Sequence, residues 1–154
     1  MITKNEVLTY VYTKLIAKYP SLFVTSERTY AVAKFPCLEM RQILATPVKE
    51  NINLSDNSYR LTFECQAYSN KQAGAGEEVY NIIKECEKAF NEIGFHMTLC
   101  EPTENTKEIT VKRHLARFVR VCCSDDSLPE EETPNETPIE EPEEPPTEEP
   151  EQGE

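Results

Sequence analysis

The side chains best suited to chemistry are six cysteines, two histidines, a Gly-Ala-Gly run and two arginines on one strand. Cys37, Cys65, Cys86, Cys100, Cys122 and Cys123 include no CxxC pair, the spacing that marks many zinc and dithiol redox sites. His96 and His114 are the only histidines, and both fall in stretches with strand character. His96 and Cys100 would share one strand face about 13 Å apart, too far for joint ligation unless the strand bends. Cys122 and Cys123 would point to opposite faces. Metal or thiol catalysis needs convergent groups, and no convergent trio is readable. The sequence therefore assigns no catalytic, cofactor-binding or metal-binding residue and implies no cofactor.

Gly74-Ala75-Gly76 lies between a strand and a helix, as phosphate-cradling loops do. It lacks the Lys-Ser/Thr of a P-loop and the third glycine of a dinucleotide fingerprint. Glu77 and Glu78 follow directly and would repel an anion, so the run reads as a loop with a glycine cap. The last strand, Ile109–Cys122, is more unusual. Ile109, Val111, Leu115, Val119 and Val121 share one face with Arg113 and Arg117. Either a β-bulge turns the arginines to solvent, or they pair with acids of this subunit or a neighbouring one, where a planar guanidinium is useful.

The elements that position these groups follow from periodicity. Thr3 and Glu6 have capping-box spacing, and Val7, Leu8, Val11, Tyr12, Leu15, Ile16 and Tyr19 recur at helical intervals until Pro20. A short extended piece is expected at Leu22–Val24, then strands at Tyr30–Phe35 and Leu38–Ala45, with Leu38, Met40, Ile43 and Leu44 available for burial. Thr46–Asn57 reads as a loop. In Tyr59–Tyr68, the apolar set Tyr59, Leu61, Phe63, Cys65 and Ala67 alternates with polar residues, and hairpin pairing with Leu38–Ala45 is the simplest topology. Ser69–Gly76 is a loop and Glu77–Ile93 a helix with the buried stripe Val79, Ile82, Ile83, Cys86, Phe90 and Ile93. Gly94 has the left-handed C-terminal role. Phe95–Cys100 and Ile109–Cys122 flank a turn at Glu101–Lys107. The order α-β-β-β-α-β-β predicts an α+β domain, an antiparallel or mixed β-sheet with two α-helices packed on one face.

Charge divides the chain in two. Residues 1–123 hold 16 Lys+Arg and 14 Asp+Glu, whereas residues 124–154 hold no Lys or Arg and 14 Asp+Glu. The first segment reads as one folded domain. The second, with seven prolines and only Leu128 and Ile139 as apolar side chains, reads as a disordered acidic tail. The net charge of +2 over residues 1–123, without basic patches interleaved with aromatics, argues against specific nucleic-acid binding. No apolar run is long enough to span a membrane. The N-terminus lacks signal-peptide character, and the cysteines are expected as reduced thiols.

Four short stretches carry a family likeness: Phe35-Pro36, Tyr68-Ser69-Asn70, Ile93-Gly94-Phe95 and Ala116-Arg117-Phe118. Arg113 precedes the last of these, and Glu101-Pro102 with Asn105 forms a turn of the same kind. On these, most of residues 1–123 resembles the tail-terminator (tail-completion, or minor capsid) proteins of long-tailed bacteriophages and prophages. The acidic tail lies outside the likeness. The resemblance implies a structural virion protein rather than an enzyme, with six copies forming a ring on the head-proximal end of the tail tube. That ring would end tube polymerisation and join the tail to the head connector. Its partners would be itself, the tail-tube protein and the connector, with genome DNA passing through the lumen without specific contact. It would sit in the virion neck after assembly in the host bacterial cytoplasm. Arg113 and Arg117 are the candidate residues for a subunit or tube interface. The alternatives are another head–tail joining protein and, from a different class, a small thiol-dependent or regulatory enzyme.

Overall fold

The computed structural model describes residues 2–27, 32, 34–48, 58–103 and 110–129. Helix α1 (Lys4–Lys18) opens with the expected capping box. The Thr3 backbone N–H donates to Glu6 Oε2 at 2.7 Å, and the Glu6 N–H donates to Thr3 Oγ1 at 3.3 Å. After it come β1 (Phe23–Thr25), β2 (Cys37–Val48), β3 (Ser58–Ser69), α2 (Ala75–Glu92), β4 (His96–Thr103) and β5 (Lys112–Cys122). The sheet order is β1-β2-β3-β5-β4, with β1 parallel to β2 and the other pairs antiparallel. The sheet is therefore mixed, and both helices cover one of its faces.

Strand β3 is central because both of its edges are paired, to β2 and to β5. Its alternation is real: Leu61, Phe63, Cys65 and Ala67 enter the core beneath the helices. Phe63, Phe90, Phe95 and Phe118 are fully buried. The Phe90 and Phe118 rings stack with centroids 4.3 Å apart, and Phe95 meets Phe63 edge-on at 5.4 Å. Helix α2 ends as its sequence requires. Gly94 has φ +75°, Phe95 N–H donates to Phe90 O at 2.9 Å, and Gly94 N–H donates to Asn91 O at 3.0 Å. That paired closure satisfies carbonyls that the helix itself leaves open.

Several boundaries shift. Val32 and Lys34–Pro36 are not strand, and the extended chain begins at Cys37; the remainder of the expected Tyr30–Phe35 strand lies outside the described residues. Strand β2 instead runs through Thr46, Pro47 and Val48, into the expected loop. Proline is tolerated there because β1 covers only Cys37–Glu39, so among the described residues that edge of β2 has no partner at Pro47. Pro102 likewise lies in β4, an outer strand that extends to Thr103 into the expected turn. Ile43 and Leu44 are exposed, not buried, because the register shifts between Gln42 and Leu44 and turns Leu44 to the uncovered face.

Contacts continue past residue 123. Asp126 Oδ2 accepts from Arg120 Nη2 and from the Cys123 N–H, both at 3.1 Å. Arg120 Nη1 also donates to Ile93 O at 2.6 Å, and Leu128 packs on the core. Residues 49–57, 104–109 and 130–154, with most of the expected acidic tail, lie outside the described residues.

Candidate functional site

Arg113 and Arg117 sit on the face of β5 turned away from the helices, and the β3–β5 register is unbroken from Lys112 to Cys122. No bulge re-aims them. Register instead aligns Arg41 of β2, Glu64 of β3 and Arg117 of β5 as one row across three strands. Glu64 Oε1 accepts from Arg41 Nη2 at 2.6 Å, and Glu64 Oε2 accepts from Arg117 Nε at 2.9 Å. The row above holds Glu39, Gln66 and Leu115, and the next Cys37, Tyr68 and Arg113. Gln66 links these rows. Its Nε2 donates to Glu64 Oε1 at 2.9 Å, and its Oε1 accepts from the Tyr68 hydroxyl at 2.7 Å and from Arg113 Nη2. The Arg113 guanidinium also lies over the Tyr68 ring, 5.5 Å from its centroid. Arg41 Nε faces Glu39 Oε1 at 3.5 Å, an ion pair without hydrogen-bond geometry.

Glu64 is only 3% exposed, so this charge is held inside the network. Burial pushes its pKa up, but hydrogen bonds from Arg41, Arg117 and Gln66 outweigh that and hold it below the usual carboxylate value. Arg117 is different. Its side chain is 45% exposed, and among the described residues only its Nε has a partner. The two proposed interface residues are thus brought together through Gln66 and Glu64, with Arg117 presenting the open part of its fork. Reading the sequence residue by residue missed Glu39, Arg41, Glu64, Gln66 and Tyr68. The available signal was that three strands each carry charged or amide residues on the same alternation.

The thiols are all unbridged. Burial raises Cys37 to about 11, helped by the Glu39 charge, and burial likewise raises Cys65, with Cys86 beside it adding to the shift. His96 and Cys100 do not share a face. A register shift between Met97 and Leu99 pairs His96 with Val119 and Cys100 with Ala116, on opposite sides of the sheet. Cys100 instead meets His114, with Sγ and Nε2 3.2 Å apart. The Tyr80 ring stands edge-on to the imidazole at 5.7 Å. Burial raises the Cys100 pKa, Lys84 opposes this and Glu87 adds to it; burial lowers that of His114. Both shifts favour a neutral thiol beside a neutral imidazole over a thiolate–imidazolium nucleophile. No group of three or more His, Cys, Asp or Glu among the described residues is arranged to hold a metal.

No family model matches the chain, and no curated protein matches it. The site must therefore be read from its own geometry. That geometry is an ordered, partly solvent-facing polar sheet surface, together with a thiol–imidazole pair on the helix-covered face.

Proposed function

We propose that this chain is a structural subunit of a phage tail, one of six copies closing a ring on the head-proximal end of the tail tube. The observation that carries the reading is where the resembling stretches fall within one sheet-and-helix unit. Phe35-Pro36 leads into β2, Tyr68-Ser69-Asn70 closes β3, Ile93-Gly94-Phe95 ends α2, and Ala116-Arg117-Phe118 lies within β5. The polar sheet face around Glu64 supports it further. A surface whose arginines are already ordered by Glu64 and Gln66 loses less side-chain entropy on meeting a neighbour.

In this reading the ring stops addition of tail-tube protein and presents a docking surface to the head connector, and genome DNA passes through without base contacts. The subunit contacts are head-to-tail and close by rotation. The protein performs no catalysis, and Arg113 and Arg117 act at the contact between copies or with the tube. Arg117→Ala should cost the subunit about 1 kcal/mol or less, because the arginine is half exposed and Glu64 keeps Arg41. The same variant should lose ring assembly on tubes; normal assembly removes Arg117 from the contact.

Tail length in a lysate lacking this gene, read by negative-stain electron microscopy, tests the whole reading. Overlong headless tails are expected. Normal tails beside unattached heads would move the protein to another head–tail joining role. Normal infectious particles would end both structural readings.

A further inference from the structure

We propose that the acidic segment Glu136–Glu141 of this chain docks on its own sheet, on the face turned away from the helices and at the end where Leu44, Arg117 and Val121 are exposed.

The surface there is amphipathic. Among the described residues, the large apolar side chains that stay exposed are Tyr12, Ile43, Leu44, Tyr80 and Val121. Leu44 pairs with Thr62 and Val121 pairs with Arg60, so both stand on the face of β3 opposite Phe63, in neighbouring rows. Half-buried Val119 lies level with Leu44 and next to Val121 along β5. The adjoining row is Arg41–Glu64–Arg117, in which the Arg117 side chain is 45% exposed. Across these three rows Arg41, Arg60 and Arg117 stand against a single carboxylate, Glu64. Aliphatic side chains beside a surplus of guanidinium suit a peptide that carries carboxylates and one apolar residue.

The chain supplies such a peptide on a short tether. Residues 130–154 hold twelve glutamates, no Lys or Arg and one large aliphatic side chain, Ile139, set among Glu136, Glu140 and Glu141. Its starting point is fixed. Asp126 accepts from Arg120 and from the Cys123 N–H, and Leu128 packs on the core, so the chain beyond Pro129 sets out from the end of β5 that carries Val121. The stretch from Leu128 to Ile139 can span about 34 Å at the rise of an extended proline-rich chain. Leu44 and Val121 lie two strand spacings apart, about 10 Å. Ile139 thus reaches the patch within one subunit, and the tether raises its local concentration to the order of millimolar. Docked there, Ile139 covers Leu44 and Val121, and the flanking glutamates accept from the outward Nη atoms of Arg117. Exposed ion pairs of this kind are weak, so docked and undocked forms are both populated and a neighbour that meets Arg117 can displace the segment. The inference does not depend on ring assembly.

The test is nuclear Overhauser spectroscopy of the isolated, full-length chain with labelled methyl groups. Cross-peaks from Ile139 to Leu44 or Val121 are expected. Raising NaCl from about 0.05 M to about 0.5 M should weaken them at least about twofold, because the screening length shortens. Replacing Glu136, Glu140 and Glu141 by Gln together, or Arg117→Ala alone, should weaken them to a similar extent, with the signals of buried Ile82 and Ile83 unmoved as the control for folding. A sample mixing labelled with unlabelled chains should show no cross-peak between copies. Absence of the Ile139 cross-peaks at low salt would overturn the proposal. So would cross-peaks indifferent to both the glutamate and the arginine substitutions, or cross-peaks found only between copies, which would assign the surface to a neighbour's segment. Tail length in a lysate is read separately, so the structural role and this contact can fail independently.

Discussion

The two faces of one sheet are built on opposite principles. Beneath the helices, Phe63, Phe90, Phe95 and Phe118 are fully buried with Leu38, Ile82 and Ile83, and stability there comes from removing apolar surface from water. On the other face of the same strands, Glu39, Glu64 and Gln66 are equally buried, yet they are held by arginines and a tyrosine hydroxyl. A strand with period-two alternation is obliged to supply both faces. What β3 teaches is that its polar half is not simply the solvent half: register with two neighbours turns it into a charge network. The apolar face fixes the fold, whereas the polar face leaves Arg117 half exposed.

Three substitutions probe that contrast. Phe90→Ala removes a ring stacked at 4.3 Å on Phe118 and touching two further phenylalanines. It should cost about 3–5 kcal/mol, read from the urea midpoint. Glu64→Gln on the opposite face should cost about 2 kcal/mol near neutral pH, because Arg41 and Arg117 lose their shared carboxylate while staying partly hydrated. Its pH profile carries the sharper signature. Glu64 has a folded pKa below its unfolded value near 4.5, so its contribution is complete above that value and is lost as pH falls through the folded pKa. The difference between wild type and Glu64→Gln should thus shrink below about pH 4.5, and a constant difference would show that the charge contributes nothing. The smallest change is expected from Leu44→Ser. This residue is 47% exposed despite its strand position, and its loss should move stability by about 0.5 kcal/mol or less. A larger loss would mean that Leu44 belongs to an apolar cluster of its own, beyond the one that Cys37, Tyr68 and Val111 form with Phe23 and Phe35.

The sequence revealed most of the element order and less of the register. Thr3 and Glu6, the α2 stripe and the Gly94–Phe95 exit are local signals, and each appears in the structure as read. Period-two alternation located β3, but it could not show that Glu64 would stand between Arg41 and Arg117, because that requires two strand registers at once. The Cys100–His114 contact was hidden for the same reason, and more deeply. A shift at Met97/Leu99 separates His96 from Cys100 and puts Cys100 on the side of His114, and no pattern in β4 announces that extra residue. Prolines misled in the other direction. Pro47 and Pro102 argue for loop and turn, yet each lies in a strand one edge of which has no partner there among the described residues.

Those same prolines have a further consequence. A sheet with open margins is a template on which another chain can add a strand and propagate. Pro47 withholds a backbone donor along the unshielded length of β2, and Pro102 does so along β4, next to Glu101 and beyond an irregular register. Strand-on-strand pairing is therefore disfavoured where those two prolines stand. At those positions a neighbouring chain would have to be met by side chains rather than by a backbone ladder.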